Sequence, residues 1–234
     1  MQCNLWIFKA LLWYNQVVIN LGTEANVVTS RNWVRLFLTT LLAGGIAGIF
    51  SGFAARWTDF AWMFSPFNFT EILLSSIWLF GIGLIYSVIS QMGFFSYLTI
   101  HRFGLGIFKS LRLWNTVQII LIAVVIFDLI YFDYWKVATV LFAYGLLVAF
   151  LKAKQTDKDT FISALFFIVA ATAIELIAVL RVGNESWIYF MMISLLVCNT
   201  YQLLRLPYYL KLSEEEREAR IKRKASAQAN NVKK

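Results

Sequence analysis

Six continuous apolar stretches, separated by short polar segments, make up most of the chain. They cover residues 34–55, 72–100, 113–132, 134–151, 160–180 and 187–204. An α-helix rises about 1.5 Å per residue, so each stretch is long enough to cross about 30 Å of hydrocarbon. The runs do not alternate with polar residues, which argues against a membrane β-barrel. The pattern predicts an all-α, polytopic membrane protein with six transmembrane helices.

The second stretch, residues 72–100, is longer than a single crossing requires. A helix of that length tilts, bends, or continues past the hydrocarbon into the cytoplasm. Gly81 and Gly83 mark the place where a bend is most easily accommodated. The sequence leaves all of these possibilities open.

Basic residues alternate between the segments that separate the apolar stretches. In chain order they number three, one, three, one, three, one and, from Arg205 onward, nine. Lys and Arg are held on the cytoplasmic side of membrane spans, so this alternation sets the topology. It predicts both termini in the cytoplasm, with 18 basic residues inside and three outside. The expected location is the cell (cytoplasmic) membrane, which the chain crosses several times.

Composition leads to the same class. Hydrophobic residues make up 60% of the 234-residue chain, and its mean hydropathy is +0.68. A soluble globule of this size has too little interior to bury so much apolar surface, so the expected surroundings are the lipid bilayer. We expect an N-terminal extension at 1–29, a six-span membrane domain at 30–210 and a charged cytoplasmic tail at 211–234.

The N-terminal extension has two interpretations. Residues 6–19 are aromatic and apolar but are interrupted by polar residues, which suits an interfacial helix better than a span. Alternatively, residues 1–27 are not translated. The codons of residues 23–25, Thr-Glu-Ala, can contain the ribosome-binding sequence GGAGG. It would lie a few nucleotides before Val27 and Val28, either of which can be a GTG start.

The tail is strongly charged. Ser213 and Glu216 have the spacing of a capping box, and Glu216 with Arg220 forms an i,i+4 pair, so a short exposed helix is expected to begin near Ser213. The net charge of the whole chain is +8, and the tail supplies much of it. Membrane topology explains that charge, so no nucleic-acid partner is expected.

Residues that support catalysis or metal binding are scarce. Cys3 and Cys198 are the only cysteines, and His101 is the only histidine. They provide no zinc-ligand spacing, no Cys/His pair with an orienting third group and no disulfide framework. A phosphate-binding loop and a dinucleotide fingerprint are also missing. We therefore expect a protein that is not an enzyme, with no catalytic, cofactor-binding or metal site and no cofactor.

Polar side chains within the spans form two groups. One lies in the predicted inner half of the membrane and consists of Ser87, Gln91, Asn115, Gln118, Asn199 and Gln202. Glu175 and Asp128 lie in the predicted outer half, where Arg181 can pair with one of them. Polar groups are costly in lipid, so we expect the inner group to face one another. They either form hydrogen bonds between helices or line a path for a substrate or proton.

Gly44, Gly48 and Gly52 recur every four residues on one face of the first span. Small residues at this spacing let two helices approach closely, so these are candidate helix-packing residues. The partner is either another span of the same chain or a helix of a second protein. The pattern does not determine the oligomeric state.

The most unusual stretch runs from the inner end of the second span to the start of the third. It reads SQMGFF at 90–95, HRFGLG at 101–106 and LWNTVQ at 113–118. Here the chain resembles the KinB-signalling pathway activation proteins of spore-forming bacteria, a resemblance that begins with SRNW at 30–33 and runs to about residue 210. It implies a six-span cytoplasmic-membrane protein that promotes the activity of a membrane-bound sensor histidine kinase feeding the sporulation phosphorelay.

The connection between the second and third spans is expected to be a cytoplasmic loop that contacts this kinase. Its candidate contact residues offer charge, hydrogen-bond donors, apolar anchors and backbone freedom: His101, Arg102, Phe103, Gly104, Gly106, Lys109 and Arg112. A tight turn with headgroup contacts explains the same residues equally well. The alternative function, from a different class, is a small membrane transporter or substrate-binding membrane subunit that uses the inner polar group.

Overall fold

The computed structural model describes residues 29–232, and its regular elements are helices. The predictions for residues 1–28, an interfacial helix or an untranslated segment, lie outside the described residues. In chain order the elements are α1 (Ser30–Ala55), α2 (Trp57–Phe60), a 3₁₀ turn (Ala61–Met63), α3 (Phe69–Phe108), α4 (Leu111–Tyr131), α5 (Trp135–Gln155), α6 (Thr160–Phe166), a π-helical turn (Phe167–Ala171), α7 (Thr172–Leu180) and α8 (Glu185–Val232).

Six helical segments within the described residues are long and apolar enough to cross a membrane. They are α1, α3, α4, α5, the continuous run Thr160–Leu180 and the first part of α8, and they coincide with the six predicted stretches. The prediction of an all-α chain with six candidate spans is therefore confirmed. The placement of both termini in the cytoplasm stays a prediction.

Helix α3 is much longer than the apolar stretch that predicted it. It has 40 residues, which corresponds to about 60 Å, twice the hydrocarbon thickness of a bilayer. The loop conformation expected for residues 101–108 is wrong, because these residues continue the helix. Their position on the cytoplasmic side stays a prediction. The polar side chains after Ile100 end the apolar run without breaking the backbone pattern. The helix ends only at Lys109, which adopts a left-handed conformation with φ 50° and donates its amide to Leu105 O at 3.0 Å.

Residues 29–33 and 208–232 form a compact unit of their own. The expected capping box at Ser213 is wrong, because Ser213 lies in the interior of α8 and begins no helix. Its hydroxyl donates to Tyr209 O at 2.7 Å and accepts from Asn32 Nδ2 at 2.9 Å. It also accepts from the Thr29 amide at 3.0 Å. Ser213 therefore satisfies polar groups at the start of α1.

The second unit, Val34–Pro207, contains the apolar core. Phe94, Phe167 and Phe190 are among its largest fully buried side chains. Phe94 packs edge to face on Phe167 at a centroid distance of 5.4 Å, and Tyr86 does the same on Phe190 at 5.2 Å. Such aromatic pairs stabilise helix contacts by about 0.5–1.5 kcal/mol beyond burial. They join α3 to the π-helical turn and to α8.

The face of α1 that carries Gly44, Gly48 and Gly52 contacts α3 of the same unit. A Cβ on Gly48 would lie 2.6 Å from Gly83 Cα and 2.7 Å from Leu79 O, and a Cβ on Gly52 would meet the Leu79 side chain. On the opposite helix, a Cβ on Gly83 would collide with Gly44 O. Because most of these neighbours are backbone atoms, the two helices can cross this closely only where both carry glycine.

Candidate functional sites

The six inner polar residues do not converge on one point. Ser87 and Gln91 form one pair on α3, and Asn199 and Gln202 belong to a second group. Gln118 belongs to a third, and Asn115 Oδ1 is buried without a hydrogen-bond partner among residues 29–232. The structure therefore divides the set into separate hydrogen-bonded groups.

The largest group, here called the Asn199 network, joins α3, α7 and α8. Asn199 is fully buried, and its Nδ2 donates to Thr172 Oγ1 and to Glu175 Oε2, both at 2.9 Å. Its Oδ1 accepts from Ser90 Oγ at 2.6 Å, and Ser90 Oγ accepts from Gln202 Nε2 at 2.7 Å. All hydrogen-bonding atoms of the Asn199 side chain are used. In a bilayer this satisfies groups that would otherwise cost several kcal/mol each.

Glu175, one of the two acidic residues that Arg181 could pair with, joins the network of the inner residues instead. Its carboxyl group accepts a hydrogen bond from Asn199, in the same network as Gln202. Its other oxygen, Oε1, is buried and has no hydrogen-bond partner within the described part of the chain. The α3 residue opposite is Gly93, where a Cβ would collide with that oxygen. Glycine at this position therefore makes room for the carboxyl group.

A change of helical pitch directly precedes this carboxyl group. Residues 167–171 form a π-helical turn between α6 and α7, and Phe167, Ile168, Val169 and Ala170 are buried in it. An i→i+5 turn holds an extra residue, so everything after it is rotated relative to a regular helix. That rotation sets which side of the fifth span Thr172 and Glu175 occupy.

Gln118 belongs to a smaller group near the end of α3. Its Oε1 accepts from Ser163 Oγ at 3.1 Å, and its Nε2 lies 3.5 Å from His101 Nδ1. The indole Nε1 of Trp114 donates to the same His101 Nδ1 at 3.0 Å. Since an indole N–H can only donate, Nδ1 acts as the acceptor and the imidazole proton is placed on Nε2. His101 therefore faces inward, onto α4.

The candidate contact residues divide into buried and exposed members. Gly104 is buried beneath Trp114, whose ring atoms would lie 2.5 Å from a Cβ at that position. A Cβ on Gly106 would meet nothing within 4 Å. The exposed members, here called the basic elbow, lie at the end of α3 and the start of α4 and comprise Arg102, Phe103, Gly106, Lys109 and Arg112.

Chemically, these sites suit recognition and helix packing. Among residues 29–232, no group of three or more His, Cys, Asp and Glu side chains is placed to hold a metal ion. The Asn199 network has one buried carboxyl oxygen without a hydrogen-bond partner in the described residues. The basic elbow exposes three cations and Phe103, which is 67% exposed. Residues that the sequence analysis left out of the inner group include Ser90, which lies one turn from Ser87. Thr172 was also left out, although the spacing Thr172-x-x-Glu175 places both side chains on one helix face.

Most of the chain is similar to known proteins. The family model described as KinB-signalling pathway activation in sporulation matches residues 44–209. The KinB-signaling pathway activation protein of Bacillus subtilis (strain 168) is 40% identical over 193 residues, covering 77% of this chain and 98% of that protein. No solved structure matches. The resemblance expected from the sequence is confirmed, and the chain belongs to the family of KinB-signalling pathway activation proteins.

Proposed function

We propose that this chain is a non-enzymatic membrane regulator that promotes the activity of a membrane-bound sensor histidine kinase feeding the sporulation phosphorelay. The family match across residues 44–209 carries this proposal. The name of the Bacillus subtilis relative refers to activation of the KinB pathway, so KinB is the kinase to test as the partner. The alternation of basic residues supports placing both termini in the cytoplasm.

The surface proposed to contact the kinase is the basic elbow. Its cations lie on the side that the alternation assigns to the cytoplasm, where a sensor kinase carries its catalytic domains. Phe103 is an exposed aromatic anchor beside Arg102, and both residue types are common at the centres of interfaces. Because α3 is helical through Phe108, the elbow has a defined shape before the partner binds. Preorganisation of this kind lowers the entropy cost of association.

Activation then requires no chemistry from the regulator. A protein that binds one signalling conformation of the kinase better than the other shifts the equilibrium by the difference in binding free energy. A tenfold preference corresponds to about 1.4 kcal/mol, which is within reach of one good interfacial contact. The elbow supplies the contact, and the closely packed helices hold it in place.

Substitution of the open glycine tests the elbow. Gly106→Val adds a side chain whose Cβ meets nothing within 4 Å, so we expect sporulation signalling to fall several-fold at normal membrane abundance. Gly81→Val is the matched control, because Gly81 lies on the same helix and is equally open but far from the elbow. Gly104→Val should instead lower abundance, since its side chain would overlap the Trp114 ring.

The readouts are sporulation frequency, membrane abundance and crosslinked capture of KinB in cells that carry each variant. Arg102→Ala should reduce capture of the kinase, whereas Lys158→Ala, an exposed basic residue in another connection, should not. Normal signalling and normal capture with both Gly106→Val and Arg102→Ala would reject the elbow as the contact surface. Failure to capture KinB with the unaltered chain would reject a direct interaction.

A small membrane transporter or substrate-binding subunit is the second candidate. One observation favours it: the Oε1 of Glu175 is buried in a polar network without a partner, as a group that binds a proton or cation would be. Glu175→Gln keeps the shape and the acceptor oxygen for Asn199 but removes the charge. Substrate- or proton-dependent flux in proteoliposomes that disappears in this variant would favour the transporter. A lack of flux with the unaltered chain would favour the regulator.

A further inference from the structure

An apolar cleft lies between α4 and α7, away from both candidate sites. Its volume is about 560 Å³, within the range of small-molecule sites. One wall is a face of α4 with Val125 and Leu129 one turn apart, followed by Phe132 directly after the helix ends. The other wall is a single face of α7 that includes Ile174 and Ile177, which are 63% and 47% exposed.

The cleft has one charged residue on each wall. Asp128 lies on the α4 side and Arg181 follows the end of α7, and both line the cavity. In the part of the chain that the structure describes, Asp128 and Arg181 do not form an ion pair with each other. Tyr134 also lines the cleft and donates its hydroxyl to Leu180 O at 2.6 Å. Two opposite charges therefore face the same space, separated by more than an ion-pair distance.

A second, more polar cavity of about 300 Å³ adjoins this cleft, and Phe132 and Tyr134 line both. Lys136 and Glu185 border the second cavity and form an ion pair of 3.6 Å with each other. A polar space therefore adjoins the apolar cleft at Phe132 and Tyr134.

We propose that this cleft is a binding site for a phospholipid whose headgroup carries a primary ammonium, the phosphatidylethanolamine class. The apolar walls of the cleft offer few hydrogen-bond partners to water, so in a bilayer an acyl chain fills that part of it. The guanidinium of Arg181 pairs with the lipid phosphate, for which its planar donors are suited. The ammonium group pairs with Asp128, which removes the cost of an unpaired carboxylate at the membrane boundary.

The headgroup chemistry distinguishes this lipid from its neighbours in the membrane. Phosphatidylglycerol offers the phosphate but has no cation for Asp128. Phosphatidylcholine has a cation, but its quaternary ammonium cannot donate a hydrogen bond to a carboxylate. Only the primary ammonium satisfies both charged residues of the cleft.

The test is lipid retention by the purified full chain. The protein is placed in nanodiscs that contain equal mole fractions of dioleoyl phosphatidylethanolamine, phosphatidylglycerol and phosphatidylcholine, then transferred to detergent. Bound lipid is counted by native mass spectrometry. We expect at least about fivefold more phosphatidylethanolamine than either competitor, which corresponds to about 1 kcal/mol.

Three variants separate the parts of the site. Arg181→Gln should lower retention of phosphatidylethanolamine and phosphatidylglycerol alike. Asp128→Asn should abolish the preference between the two. Ile177→Trp should fill the apolar cleft and reduce all retention. Arg220→Gln, which removes an exposed arginine of α8 that belongs to neither candidate site, should leave retention unchanged.

Gel filtration and circular dichroism confirm that each variant is folded before its lipids are counted. Equal retention of the three lipids by the unaltered chain would overturn the proposal. Undiminished retention in folded Arg181→Gln and Ile177→Trp would also overturn it. A loss of the preference in folded Asp128→Asn alone would support the headgroup assignment even if another variant failed to fold.

Discussion

Glycine at position 83 is predicted to be indispensable for the contact between α1 and α3, whereas glycine two residues earlier is not. In Gly83→Ala the new Cβ would collide with Gly44 O and lie 2.9 Å from Gly48 Cα and 3.1 Å from Gly45 Cα. Each of these neighbours is a backbone atom, so no side chain can rotate away. A Cβ on Gly81 would meet nothing within 4 Å.

The size of the effect follows from these distances. Carbon atoms pack best at about 3.5–4.0 Å, so the helices have to separate by about 1 Å to accept the methyl group. Overpacking of this kind costs about 1–3 kcal/mol. Alanine also improves helix propensity by about 0.5–1 kcal/mol, but both substitutions gain that amount. Gly83→Ala should therefore be less stable than Gly81→Ala by about 1–3 kcal/mol, with propensity cancelled.

The assay is the unfolding midpoint of each purified variant in mixed micelles, titrated with a denaturing detergent. Gly48→Ala should resemble Gly83→Ala, since a Cβ there would meet Gly83 Cα at 2.6 Å from the other side of the same contact. The double variant should lose less than the sum of the single losses, because the first separation of the helices makes room for the second methyl group. Equal midpoints for Gly83→Ala and Gly81→Ala would refute the close crossing.

Two further substitutions test the polar groups. Asn199→Ala removes the donor to Glu175 and the acceptor for Ser90, so we expect a loss of about 1–3 kcal/mol in the unfolding free energy. An unchanged unfolding midpoint would show that Glu175 and Ser90 form other hydrogen bonds in the variant. Trp114→Phe keeps an aromatic ring but removes the donor to His101, and we expect a loss of about 0.5–1.5 kcal/mol together with a changed imidazole signal in nitrogen NMR. An unchanged imidazole signal would contradict the hydrogen bond between the two rings.

The apolar pattern predicted the number of candidate spans well, because hydropathy reports directly on which segments lipid can accept. It did not predict where helices end, since polarity and backbone conformation are separate properties. His101 and Arg102 end the apolar run after Ile100, yet the helix continues through all of HRFGLGIF. Helix α3 ends at Lys109, which adopts a left-handed conformation. A glycine at this position would have predicted the end of the helix from the sequence, whereas a lysine does not.

The polar residues show a different limit. Their presence within spans was evident, and Ser87, Gln91, Asn199 and Gln202 do form hydrogen bonds inside the protein. Which ones meet depends on the relative depth and rotation of neighbouring helices, and a single sequence contains no measure of either. Assigning Glu175 by its distance along the fifth span therefore placed it in the wrong group.

The position of Glu175 shows how three local features combine to build one contact. The π-helical turn at residues 167–171 sets the rotation of the carboxyl-bearing face. Gly93 on α3 leaves the space into which that carboxyl projects, and Asn199 on α8 supplies the hydrogen bond that holds it. In the sequence, neither the π-helical turn nor Gly93 nor Asn199 by itself indicates a buried carboxyl group. Because these features come from different helices, the environment of the buried carboxyl group can be recognised only once those helices are packed together.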